Sequence, residues 1–125
     1  CEPGLAAAIR SVATPFGVNL PAQAAAAAAL GEAELARTAE RSATVAAERD
    51  RVVDALRAQG WEVPDAQGNF FWLGVGDETA ALAEHFRAAG ILVRPFVGEG
   101  VRVSIGTTSD NERVLAAAAA WSAEH

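Results

Sequence analysis

The chain has 125 residues with ten arginines and no lysine against sixteen aspartates and glutamates, a formal charge of −6. That is one domain's worth of chain, enough to take roughly two thirds of its unfolded surface out of water, and the acidic balance argues against nucleic acid as a partner, because phosphate backbones require a basic stripe. Gln23 and Glu32 bracket the longest apolar run, well short of the ~18 apolar residues of a membrane helix; with no basic, apolar, small-residue signal at the start, a cytoplasmic protein without a membrane partner is expected.

Residues 1 to about 20 lack a steady period and carry Pro3, Gly4, Pro15 and Gly17. A short helical turn is expected at Leu5 to Val12. Thr14-Pro15-Phe16-Gly17-Val18-Asn19 reads as a turning connector, since proline pushes its predecessor out of the helical region. The alanine run from Pro21 to Leu30 has high helix propensity, with Pro21 suited to a first turn and Gly31 to a stop.

Glu32 to Gln59 is the longest periodic segment: Leu35, Ala39, Ser42, Val45, Ala46, Val52, Val53 and Leu56 recur at helical spacing. Glu32 and Glu34 suit its positive end and Gly60 its C-cap. A helix of about 40 Å exceeds what a small domain needs for itself and is expected to link two bodies. Arg49 falls within the stripe and is expected to lay its stem on the core with its head in water.

Beyond Gly60 the period changes. Trp61-Glu62-Val63-Pro64 predicts a short strand, Asp65 to Gly68 a turn, and Asn69 to Val75 an aromatic-rich strand contributing Trp72 to the core. Asp77 or Thr79 should cap a helix with Leu82, Phe86 and Ala89 on one face, stopped at Gly90. Strands at 91–96 and 101–105 follow, joined by a Gly98-Glu99-Gly100 turn. Ser109-Asp110-Asn111-Glu112 predicts a capping box opening a last helix with Val114, Ala118 and Trp121 on one side. The expected fold is α/β, an α+β two-layer sandwich in the order α-β-β-α-β-β-α. Its small antiparallel-rich sheet is covered by helices on one face and preceded by the long linking helix.

Strand alternation gives the sharpest site prediction. Val101, Val103 and Ile105 point to the core, so Arg102 and Ser104 point away from it. His85 and His125 stand far apart without clustered acidic or cysteine partners, which is no metal-site pattern. The single Cys1 cannot form an internal disulfide and is expected to be an ordinary thiol. The serines lack a base at triad spacing, Ser109 being accounted for as a helix cap. Gly98-Glu99-Gly100 precedes a strand and is too short for a phosphate loop.

Three stretches carry a resemblance: Gly90-Ile91-Leu92-Val93-Arg94-Pro95-Phe96; Gly100-Val101-Arg102-Val103-Ser104-Ile105-Gly106-Thr107; and Ser109-Asp110-Asn111-Glu112-Arg113. Together they resemble the C-terminal, small domain of the class I and II, fold-type-I pyridoxal-phosphate aminotransferases, nearest the histidinol-phosphate and aromatic amino acid branch. Asn69-Phe70 is similar to that family's Asn-Phe pair, expected here to be structural, and Thr14 to Asn19 to its Pro-aromatic segment near the substrate. The resemblance implies that Arg102 grips a substrate carboxylate, a bidentate bond that lysine cannot imitate. It implies that Arg94 assists, toward the acidic end of the substrate or a phosphate; paired with an acid such as Glu99, it would instead be a rim residue.

The parent is then expected to transfer an amino group from a glutamate-like donor to a 2-oxo acid or imidazole-acetol phosphate, as a homodimer. The cofactor's aldehyde needs a lysine amine. With no lysine here, pyridoxal phosphate is expected only in the full-length parent, and no residue of this chain receives a catalytic, cofactor-binding or metal-binding role. The absence of methionine and the initial Cys1 suggest a piece of a longer protein, inactive alone and partnered by a missing N-terminal large domain. Residues 1–31 would be connector and Ala-rich helix, and 32–125 the small domain. Two other classes stay open: a stand-alone α/β small-molecule-binding or regulatory module without catalysis and, less favoured, a protein–protein interaction module.

Overall fold

The structure, a computed structural model, describes residues 2–124; Cys1 and His125, considered above for thiol and metal chemistry, lie outside them. The chain divides into two compact units, residues 1–39 and 40–125. The division falls inside the long helix α3 (Glu32–Ala58).

In the first unit, α1 spans Pro3–Val12 and α2 spans Leu20–Ala29. Helix α1 starts earlier than its apolar spacing suggests because the Glu2 carboxylate accepts from the backbone N–H groups of Gly4 and Leu5, at 2.9 Å each. Asn19 caps α2 through the Ala22 N–H, with proline in the first turn as expected. Neither helix buries a residue. Leu5, Ile9, Val12, Phe16, Val18, Leu20, Leu30 and Leu35 are all exposed.

Helix α3 runs Glu32–Ala58, close to its predicted bounds, and the second unit is built on its later turns. Val52, Val53 and Leu56 are buried there. Strand β1 (Phe70–Gly74) follows, then a 3-10 turn at Gly76–Glu78 and α4 (Thr79–Ala88). Strands β2 (Arg94–Phe96) and β3 (Gly100–Ser104) and helix α5 (Thr108–Glu124) complete the order. The sheet is antiparallel, in the order β1-β3-β2. Its inner face (Phe71, Leu73, Val101, Val103) packs with Leu82 and Phe86 of α4, Val114, Leu115, Ala118 and Trp121 of α5, and the α3 residues. This is the expected small antiparallel sheet with helices over one face.

Gly60 and Gly90 stop α3 and α4 as predicted. At φ 95° and 73° they permit paired reverse bonds: Gly60 N–H to Arg57 O with Trp61 N–H to Leu56 O, and Gly90 N–H to Arg87 O with Ile91 N–H to Phe86 O.

Several local expectations fail for identifiable reasons. Residues 61–64 form no strand, so the sheet has three strands among the described residues and the order lacks its first β element. Pro64 has no N–H to offer, and the Val63 carbonyl is taken by the Arg57 guanidinium at 2.8 and 3.2 Å. Ladder pairing in the 91–96 segment is confined to Arg94–Phe96. Neither Asp77 nor Thr79 caps α4 by its side chain; Thr79 is buried and donates to the Gly76 carbonyl at 2.6 Å. The box opening α5 begins two residues before Ser109. The Thr107 hydroxyl accepts from the Asp110 N–H at 3.3 Å and donates to the Asp110 carboxylate at 2.6 Å.

Arg49 does not hold its head in water either. Its side chain is 11% exposed. The guanidinium bonds Asp50 at 2.7 and 2.9 Å and the Gly68 carbonyl at 3.3 Å.

Candidate functional site

Alternation along β3 works as the sequence implies. Val101 and Val103 are buried at 0% and 3%, Arg102 is half-buried and Ser104 exposed on the opposite face. The register then makes a row that composition cannot show, for Trp72, Arg102 and Arg94 are direct cross-strand partners. On either side lie Phe70 opposite Ser104, and Phe96 opposite Gly100. The open face of the sheet therefore carries two arginines among three aromatic rings.

Two like charges directly opposite across a ladder repel. Here each guanidinium lies on a different ring: Arg102 Cζ is 5.2 Å from the Phe70 centroid and Arg94 Cζ is 5.3 Å from that of Phe96. The two rings flank the arginine row on opposite sides. Phe96 in turn meets Trp72 edge-on, with centroids 5.5 Å apart at 61°. Trp72 crosses Gly100, where an added Cβ would come 2.8 Å from its ring and strike the Leu73 carbonyl. Trp72 also walls an open cleft of about 520 Å³ with Arg57, Trp61 and Pro64.

Neither guanidinium has an ion pair or hydrogen bond among the described residues, so the alternative of an Arg94–Glu99 pair is not what forms. The Arg102 Nε–H is buried without a partner. Its terminal Nη1 and Nη2 are not sealed in the same way, which leaves the end-on fork of the guanidinium open to an anion. A desolvated cation next to aromatic faces attracts a carboxylate more strongly than one in bulk water.

The loop after β3 is fixed from behind. Buried Asn111 accepts from the Gly106 N–H at 3.0 Å and donates to the Gly106 carbonyl at 3.2 Å and the Glu48 carboxylate at 3.0 Å. Glu48 also takes Arg51 at 2.7 Å, and that guanidinium reaches Glu112 at 2.8 Å. Bonds from Arg51 first and Asn111 second hold the Glu48 carboxyl down at about 2. His85, half-buried, bonds the Ala117 carbonyl through Nε2 at 2.8 Å and packs on Trp121, which joins α4 to α5.

Arg102 and Arg94 are thus neighbours on one face. Sequence reasoning does not single out the aromatic residues around them as site residues, and it places Trp72 in the core. It is half-buried on the open face instead. The signal was available: Phe70 and Trp72 bracket Phe71 at period two, so only one of the two sets can face inward. Which set does so depends on the β1–β3 register.

Pyridoxal phosphate does not fit this chain alone in its covalent form, because no lysine side chain is present. A family model for aminotransferase class I and II matches residues 1–118. Among curated relatives, an aromatic amino acid aminotransferase of Streptomyces coelicolor is 51% identical over 112 residues, covering 89% of this chain and 30% of the relative. One of Thermobifida fusca is 49% identical over 118 residues, 94% and 32% of the two chains. Among solved structures, a provisionally assigned aminotransferase from Burkholderia pseudomallei matches with a TM-score of 0.70 and 32% identity, covering 95% of this chain and 37% of that one. The chain belongs to the class I and II aminotransferase family, whose full-length members use pyridoxal phosphate, and it spans about a third of the length of the curated relatives it matches.

Proposed function

We propose, from the chain's membership in the class I and II aminotransferases, that it is the substrate-anchoring C-terminal portion of a transaminase acting on aromatic amino acids and 2-oxo acids. The observation that carries this reading is Arg102: a guanidinium on the open sheet face, its Nε–H sealed, its terminal fork free, and aromatic surface beside it. Arg102 binds the substrate carboxylate through Nη1 and Nη2. Trp72 and Phe96 supply a flat apolar surface and exclude water from that bond. Arg94, on Phe96, assists at the far end of the substrate and takes a second anionic group such as a donor's side-chain carboxylate. The remainder of the parent supplies the lysine and the cofactor, which provides the electron sink for amino transfer. The working enzyme is a cytoplasmic homodimer. The names of the relatives favour aromatic substrates over imidazole-acetol phosphate.

The test is made in the full-length enzyme by replacing Arg102 with Lys and with Ala. Both should lower kcat/KM by about 10² to 10³-fold, about 3 to 4 kcal/mol, because a point charge does not reproduce a bidentate fork. Arg94→Lys should be milder on monocarboxylates and more harmful on a phosphorylated substrate. Near-full activity of Arg102→Lys on every substrate overturns the assignment. The 125-residue chain itself, treated with pyridoxal phosphate and borohydride, should label only at its N-terminal amine. Stoichiometric labelling at an internal residue would contradict the reading.

A further inference from the structure

The three aromatic side chains of the open face are not equivalent. Trp72 and Phe96 lean on each other, whereas Phe70 has a different seat. A Cβ placed on Gly68 would lie 2.8 Å from Phe70 Cε1 and 3.1 Å from Cδ1, so the ring rests on the bare glycine. The Gly68 carbonyl is in turn held by Arg49 from α3 at 3.3 Å, and the Asn69 carbonyl accepts from the Ile105 N–H at 2.9 Å. The backbone leading into Phe70 is thereby held at two successive carbonyls. The same ring carries the Arg102 guanidinium, 5.2 Å from the centroid.

We infer that Phe70, seated on Gly68, is the positioning residue that holds Arg102 in its ligand-ready orientation; the inference rests on the carboxylate-anchor reading of Arg102. An arginine stem samples many rotamers, and one with no protein acid to grip would spread across the sheet face. Cation–π attraction confines it to one side and keeps it off the directly opposite Arg94. Orientation settled before the ligand arrives is orientation that binding does not have to supply. Phe70 is 37% exposed, which is wasteful for a core residue and suitable for a platform. It does not touch the reacting atoms, and its effect passes through Arg102.

The experiment is side-chain NMR of this chain. Arg102→Lys serves only to identify the Arg102 Nε–H signal among the ten arginines. In the native chain that proton should be displaced by the aromatic ring current and slow to exchange, because Nε is sealed. Phe70→Leu should return it to the ordinary position, Phe70→Tyr should preserve it, and Gly68→Ala should displace it by moving the ring without deleting it. Titration with phenylpyruvate, an aromatic 2-oxo acid, should show affinity retained in Phe70→Tyr. In Phe70→Leu and Gly68→Ala it should weaken by roughly two- to thirtyfold, the range of a cation–π contact.

Should Phe70→Leu fail to fold, the contrast between Phe70→Tyr and Gly68→Ala carries the same comparison. An Arg102 signal and an affinity both unchanged in Phe70→Leu and Gly68→Ala overturn the inference. If phenylpyruvate never perturbs Arg102 while Phe70→Leu still speeds exchange of its Nε–H, Phe70 holds the side chain in place and the carboxylate-anchor reading falls.

Discussion

The two faces of one three-stranded sheet are made from the same strands and have opposite chemistry. Inward, Phe71, Leu73, Val101 and Val103 are exposed by 3% or less and meet three helices. Outward, Phe70, Trp72, Arg94, Phe96 and Arg102 pack mainly on one another, with no helix laid over them among the described residues. Aromatic content alone therefore says little about where a core lies. What separates the faces is the partner each ring has, aliphatic carbon within the core and guanidinium or tryptophan edge outside it. The inner face supplies stability, and the outer face presents a charge held in place.

That contrast is open to attack by substitution. The largest effect should come from Phe71→Ala, which empties a fully enclosed site and should lower unfolding free energy by about 3 to 5 kcal/mol in urea denaturation. A cost near that of Trp72→Ala would mean that the faces are not distinct. Next is Gly100→Ala. Its new Cβ strikes the Leu73 carbonyl and the Trp72 ring, so about 1 to 3 kcal/mol should be lost, with hydrogen-exchange protection of the β1–β3 pairing falling first. Trp72→Ala should cost about 1 kcal/mol, since its ring is half-buried and leaves no closed cavity. A cost of about 3 kcal/mol or more would restore Trp72 to the core.

The smallest effect concerns acid. Glu48 has a folded-state pKa depressed from 4.5 to about 2, so its contribution is present above pH 4.5 and is lost as pH falls toward 2. Asp110 and Glu84, lowered by bonds from Thr107 and Arg87 respectively, act in the same direction. Unfolding followed from pH 6 to 2 should therefore show stability falling in acid, and Glu48→Gln should flatten that slope. An unchanged slope in the variant would remove Glu48 from the account.

Much was legible in the chain. The long helix and its Gly60 stop, α4 and its Gly90 stop, and the outward direction of Arg102 follow from local rules, in which a residue's backbone preference or strand parity is decided within a few positions. The failures share a cause. Val63 reads as strand until Arg57 occupies its carbonyl, and Ser109 reads as a cap until Thr107 takes that role against Asp110. Arg49 reads as a solvated head until the Gly68 carbonyl comes within reach. In each case the competitor lay far along the chain or folded back from a few positions away, at a residue of comparable propensity.

The sequence by itself determined period, punctuation and the absence of any lysine, and with them the family resemblance and the impossibility of a Schiff base on any lysine side chain of this chain. Tertiary structure alone decided the strand register. It set Arg102 between Trp72 and Arg94, put Phe70 and Phe96 on opposite sides of that row, and laid Phe70 on a bare glycine. The physical reason is that parity along a strand is a local property. Lateral neighbours across a sheet are fixed by the pairing that buries the most apolar surface on the other face, and that choice involves residues far apart in the chain.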